Sequence, residues 1–230
     1  MFAVASLDGI YMGDAAGTVM TGFPDIPEAA GLYRMRETDI PLFARCCASA
    51  YSDYPVFKDV CPDGYDPKAV MNIMTTNLKA TRNSMLCFSP DKDVRAIAQW
   101  MPPGRAGTVA EAFDESGGED LKVSMYPGVV EKLNAMEDYC MELMDRYSDD
   151  RTWYLNNIAM YPEEQGKGRA SVLMRPMLRY FDRVRCSCYL ETHKERNVRI
   201  YEHYGFKVME VGKIPGTDIA HYAMLREPQE

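Results

Sequence analysis

Leu155-Asn156-Asn157-Ile158-Ala159-Met160-Tyr161-Pro162-Glu163-Glu164-Gln165-Gly166-Lys167-Gly168-Arg169-Ala170-Ser171 is the stretch on which the fold turns. Its first half continues a strand from Trp153 to Met160, and its second half opens an apolar helix from Gly168 to about Tyr180. A strand that feeds a helix through such a turn leaves several backbone N–H groups free at the helix N-terminus, where the dipole also favours negative charge. The turn reads as a phosphate cradle: Gly166 and Gly168 let the backbone approach an anion, and Lys167 and Arg169 add positive charge. Taken alone, the pattern fits a glycine-rich turn with a solvated basic pair equally well. It is neither a Walker A loop, which ends a longer glycine span in Lys-Ser/Thr, nor a dinucleotide fingerprint, which needs a third glycine and a later acidic strand end.

Downstream, strand patterns at Cys186 to Glu191, Phe206 to Val211 and Ile219 to Leu225 enclose a helix from Lys194 to Tyr204. This alternation predicts parallel strands beneath crossover helices, closed by an antiparallel edge. Thr192 with Glu195 three residues later predicts a capping box at the helix start, and Gly205 stops the helix. Asn197 and Tyr201, four residues apart, share one helical face and can address one ligand. Glu191 ends a central strand, where the ligand sites of open α/β sheets gather.

Upstream, residues 1–31 scatter glycine and proline without a period and read as a loosely held extension. Residues 32–230 then form a single domain. Leu32 to Arg36 alternates as a short strand, and Thr38 or Asp39 caps a helix with Ile40, Phe43, Ala44 and Cys47 on its apolar face. A second helix is expected from Asp66 to Arg82, a hairpin from Ser84 to Ser89 and Val94 to Met101, and a long helix from Pro127 to Tyr147. The Met-rich stripe of that last helix reads as core rather than as a cofactor box. The fold class is α/β, a mixed, twisted sheet of about six or seven strands with helices on both faces.

The chain has 230 residues, 47% hydrophobic and 26% charged, with a net charge of −8. No apolar run reaches the roughly 18–20 residues that cross a bilayer, and the N-terminal stretch lacks the regions of a signal peptide, so no membrane is expected and a cytoplasmic protein is. The absence of a basic block argues against nucleic acid and leaves a cationic small molecule as the more comfortable partner. Seven cysteines without a C-x-x-C pair, beside three scattered histidines, predict buried thiols and no metal. Trp100 and Tyr51 are candidates to line a pocket for an organic cation and equally candidates for the core.

The Leu155 to Ala170 run resembles the strand and pyrophosphate loop of the GNAT N-acetyltransferase superfamily, with Gln165, Gly168 and Ala170 at the three defining positions of Gln/Arg-x-x-Gly-x-Gly/Ala. The resemblance implies a GNAT-like fold, a core for coenzyme A over residues 152–227, and acetyl-CoA as co-substrate. It further implies a cradle from Gln165 to Ser171 and pantetheine pairing with free backbone groups of Ile158, Ala159 and Met160. Asn197 would assist binding, and Tyr201 would be the acid that returns a proton to the departing thiolate, unless it simply packs the helix. Glu191 would deprotonate the amine directly or through water, hold a cationic acceptor, or only support the strand end. Trp100-Met101-Pro102-Pro103-Gly104 and Leu190-Glu191-Thr192 followed by Asn197 and Tyr201-Glu202 resemble the branch that includes puromycin N-acetyltransferase. His193-Lys194 and Asn156-Asn157 depart from that branch's pattern. The implied reaction is direct transfer of acetyl to a primary amine of a small molecule in a ternary complex, by a monomer or homodimer. Another acyl-CoA as donor, and a non-catalytic acetyl-CoA sensor, are the alternatives.

Overall fold

The computed structural model of the chain describes residues 23–61, 64–104, 114–118, 120 and 128–230. Its seven strands are β1 (Tyr33–Arg34), β2 (Leu86–Ser89), β3 (Ala96–Met101), β4 (Trp153–Met160), β5 (Cys188–Thr192), β6 (Lys207–Lys213) and β7 (Ala220–Arg226). The helices are α1 (Ile40–Ala50), α2 (Pro55–Val60), α3 (Pro67–Thr81), α4 (Val129–Tyr147), α5 (Arg169–Val184) and α6 (Glu195–His203). The strands form one sheet in the order β1-β2-β3-β4-β5-β7-β6, a GNAT-like α/β architecture of the class expected.

Strand alternation divides the interior. Ile97, Met101, Tyr154, Ala159, Tyr189 and Ala223 face the side covered by α1 to α4. Ala98, Trp100, Trp153, Leu155, Leu190 and Met224 face the side covered by α5 and α6. The Met-rich stripe of α4 is core: Leu133, Met136, Cys140 and Leu143 are buried against the sheet. Two covered faces give the central strands β2 to β5 apolar contact on both sides, the arrangement that favours near-continuous hydrophobic runs, while the edge strand β6 is largely exposed. Among the described strands only β4 and β5 are parallel, joined by the crossover α5; β7 enters between β5 and β6 and is antiparallel to both.

Several local expectations change. Residues 1–22 of the extension lie outside the described residues, but from Phe23 onward the chain is held: Ile26 and Ala29 are buried beside α5, and Glu28 accepts from Arg183 at 2.6 Å. The capping box at Thr192 does not form. Thr192 is instead the last residue of β5, paired with Tyr222, and α6 starts after an uncapped Lys194. Asp39 occupies the N-cap of α1 without capping it; its carboxylate accepts the Tyr33 hydroxyl at 2.6 Å and the Arg36 N–H at 2.9 Å. The expected start of the long helix at Pro127 lies outside the described residues, and α4 is described from Val129. The short α2, which begins at Pro55, was not anticipated, although proline at the first helical position is a start signal.

Candidate functional site

The β4–β5 ladder contains two pairs, Trp153 with Cys188 and Tyr154 with Tyr189. On its other side β4 stays paired with β3 as far as Met160. Among the described residues, the β5-facing edge of β4 therefore has no strand partner from Leu155 to Met160. Backbone groups on such an edge are open to an extended ligand. Ile158, Ala159 and Met160 lie in this segment, with Ile158 and Met160 half-buried and Ala159 buried.

The turn after β4 carries the second feature. Gly166 (φ 75°) and Gly168 (φ 77°) both adopt left-handed backbone, and Gly168 is the N-cap of α5 with no side-chain cap bond. The Val172 N–H is bonded to the Gly168 carbonyl at 3.2 Å, so the preceding amides of the first turn, Arg169, Ala170 and Ser171, have no intrahelical acceptor. A side chain added at Gly168 would meet nothing within 4 Å, so the glycine is required by the backbone rather than by crowding. The basic side chains are not loose. Glu164 accepts from Arg169 Nε at 3.1 Å and Lys167 Nζ at 3.4 Å, and the Arg169 hydrogen bond holds its carboxyl below the usual range. Gln165 follows a single 3₁₀ turn, and the Ser171 hydroxyl pairs with that of Tyr204 at 2.7 Å, tying the start of α5 to the end of α6.

Tyr201 is buried on α6, its ring 6.0 Å from that of Phe206, and burial raises its phenol further above neutrality, so it is protonated at pH 7. Asn197 donates from Nδ2 to the Thr192 hydroxyl at 3.1 Å, fixing α6 to the end of β5. Glu191 is half-buried on the α4 face of β5, where its carboxylate accepts the Tyr189 hydroxyl at 3.1 Å and the Tyr154 hydroxyl at 3.4 Å.

The two aromatic candidates part company. Tyr51 lies at the α1–α2 corner and donates its hydroxyl to Asn157 Oδ1 on β4. Trp100 is 0% exposed on the other face of the sheet, edge-on to Phe181 at 5.6 Å, so strand alternation makes it core and it does not share a pocket with Tyr51. The neighbour that does is Tyr54, whose ring lies 5.3 Å from that of Tyr51. Its hydroxyl lies 3.1 Å from His193 Nδ1 and accepts the His193 backbone N–H at the same distance. Tyr51 thus holds β4 and Tyr54 holds the end of β5, and the corner spans the two strands where they diverge. Beside it opens a cleft of about 770 Å³, lined by Pro55, Asp59, His193, Thr217, Asp218 and Ile219.

Sequence reasoning also passed over a buried group behind His193. His193 Nε2 is 3.1 Å from His221 Nδ1, and both lie near Cys140, although the three residues are far apart in the chain. Burial, followed by the neighbouring His221, drives the His193 pKa down to about 3, and burial likewise lowers that of His221. The sequence departs from the branch pattern at His193-Lys194, but nothing in it joins His193 to His221 and Cys140.

The comparisons with known proteins agree with this geometry. The acetyltransferase (GNAT) family profile matches residues 136–206. An uncharacterized N-acetyltransferase of Schizosaccharomyces pombe is 40% identical over 120 residues, which make up 50% of this chain and 48% of that protein. The chain thus matches about half the length of that curated relative. A solved structure from Corynebacterium glutamicum, described as histone acetyltransferase HPA2 and related acetyltransferase, superposes with a TM-score of 0.58 at 18% identity, covering 86% of this chain and 96% of that one. Drosophila melanogaster polyamine N-acetyltransferase superposes with a TM-score of 0.57 at 10% identity, covering 85% and 98%. The profile match covers the diverging strands and the turn at the start of α5, so this part of the chain is similar to GNAT acetyltransferases, and the solved structures share its fold.

Proposed function

We propose that the protein transfers the acetyl group of acetyl-CoA to a primary amine of a small molecule. The observation that carries this reading is the free edge of β4 running into the uncapped N-terminus of α5. One element suits an amide-bearing arm and the other a pyrophosphate, and coenzyme A contains both in that sequence. The matching relative is itself described as an N-acetyltransferase, which supports transfer to nitrogen.

Bound acetyl-CoA supplies an activated thioester. Residues Gln165 to Ser171 hold its phosphates, chiefly through backbone N–H groups. The open edge at Ile158, Ala159 and Met160 aligns the arm, and a backbone N–H there polarises the thioester carbonyl as negative charge develops on its oxygen. Tyr201 protonates the departing thiolate, the role for which its buried phenol is kept neutral. Asn197 positions α6 through Thr192. Glu191 takes the proton of the incoming amine, directly or through a water. The amine enters by the cleft beside Tyr51 and Tyr54. The Trp100 to Gly104 and Leu190 to Thr192 patterns support placement near the branch that includes puromycin N-acetyltransferase.

Thiol release from acetyl-CoA with a panel of amines tests the reading. Turnover with at least one amine is expected, and Tyr201→Phe should lower kcat by about a hundredfold or more while calorimetric acetyl-CoA affinity stays the same. Unchanged turnover in Tyr201→Phe would remove the acid assignment. Acetyl-CoA binding without turnover by any amine would favour a sensor, and faster turnover with a longer acyl-CoA would reassign the donor.

A further inference from the structure

We propose that Cys140, His193 and His221 form a binding site for a divalent transition-metal cation, zinc foremost, with Cys140 Sγ and one imidazole nitrogen from each histidine as ligands. The site is independent of the acetyl-transfer reading, although His193 also borders the cleft.

The three donors come from α4, the turn after β5 and β7, and their ligand atoms all lie within 4.8 Å of one another. Zinc at metal–nitrogen distances of about 2.0–2.1 Å and a metal–sulfur distance of about 2.3 Å separates tetrahedral ligand atoms by roughly 3.3–3.6 Å. The His193 Nε2 to His221 Nδ1 distance of 3.1 Å is already close to that range. One thiolate with two imidazoles is a donor set that zinc and its neighbours in the first transition row prefer over calcium or magnesium.

The surroundings of the two rings support the same conclusion. The Tyr54 oxygen lies 3.1 Å from His193 Nδ1, and in the tautomer that protonates Nδ1 it receives that N–H and leaves the Nε2 lone pair directed at His221. A metal-bound histidine characteristically has such an outer partner, which sets its tautomer. His221 is 0% exposed, and its Nε2 is buried without a hydrogen-bond partner. Without a cation, one proton must lie between His193 Nε2 and His221 Nδ1, which are 3.1 Å apart. A cation there takes both lone pairs and leaves His221 Nε2–H near the Tyr139 ring, which lies edge-on to His221 at a centroid distance of 5.2 Å.

Cys140 is 2% exposed, with the Glu191 carboxylate near its thiol. On binding, the S–H bond breaks, its electron pair stays on sulfur to form the S–metal bond, and the proton passes to Glu191 and then to water. No electron is gained or lost. The fourth position is left to water, the pattern of zinc sites with three protein ligands.

The test uses the full chain, stripped with chelator, equilibrated with zinc and dialysed in the absence of acetyl-CoA. Elemental analysis should find about one zinc per chain, and titration against a chromophoric chelator gives the affinity. Cys140→Ser and His193→Gln should each weaken zinc by at least about tenfold, and Tyr54→Phe, which removes the outer partner, by about tenfold. Cys186→Ser should leave it unchanged. Cobalt-loaded wild type should show a thiolate-to-cobalt charge-transfer band that Cys140→Ser lacks. If Cys140→Ser fails to fold by circular dichroism, the half-buried His193→Gln decides on affinity alone. Failure of the wild type to retain zinc, or equal retention by wild type and His193→Gln, would overturn the site whatever the outcome with acetyl-CoA.

Discussion

At the residue scale, the two ends of the site rest on different physics. Gly168 sits at φ 77° with open space around it, so Gly168→Val strains the backbone without creating a clash. The left-handed conformation costs an L-residue roughly 1–2 kcal/mol, more when it is β-branched, and the cradle must relax to avoid that cost. Calorimetry should show acetyl-CoA binding weakened about tenfold or more, with a much smaller change for an amine. Trp100→Ala should instead lower the free energy of urea unfolding by about 3–5 kcal/mol, since Trp100 is a fully buried core side chain. An amine KM that rose selectively in that variant would show that its pocket assignment had been discarded wrongly. The candidate cradle was legible because Gln165 to Ala170 is continuous in sequence and its chemistry is backbone chemistry. The grouping proposed to take the amine was not, because Tyr51, Tyr54, Asn157 and His193 become neighbours only through the fold.

At the element scale, α6 shows how tertiary pairing overrides a local signal. Thr192 and Glu195 have the spacing of a capping box, but β7 extends β5 by one more pair and takes Thr192 into the sheet. Helix α5 is secured at its far end by Asp182, which accepts from Arg226 at 2.7 and 2.8 Å and from the Gln229 N–H at 2.8 Å. Burial pushes the Asp182 pKa up, but these bonds outweigh it and hold the carboxyl below 3.8. A depressed acid adds stability above its unfolded pKa and loses it as pH falls through the folded value. Asp182→Asn should therefore unfold more easily than wild type at pH 7, by roughly 1–3 kcal/mol, because it leaves the 3%-exposed Arg226 without its charge partner. In melting curves taken downward from about pH 5, the gap between the two proteins should close. A gap that widened in acid would contradict this account of the clamp.

At the scale of the whole molecule, the sheet class and the core of the C-terminal half were legible because apolar periods there are long and are punctuated by Gly166, Gly168 and Gly205. The strand order was not, since periodicity specifies which face a strand buries and not which neighbour it takes. The net charge of −8 predicts that kcat/KM for a cationic amine falls as salt rises, while that for a neutral amine changes little. The insertion of β7 between β5 and β6 has a consequence for how the protein is made. The strand that comes last in chain order bonds to both neighbours, through five residue pairs on one side and six on the other. Until β7 is available, β5 and β6 must wait with an empty slot between them, so the C-terminal half closes only once residues 220–226 are free. Purified chains truncated after residue 219 should remain sensitive to protease in this half, whereas chains extending through residue 226 should be protected in one step.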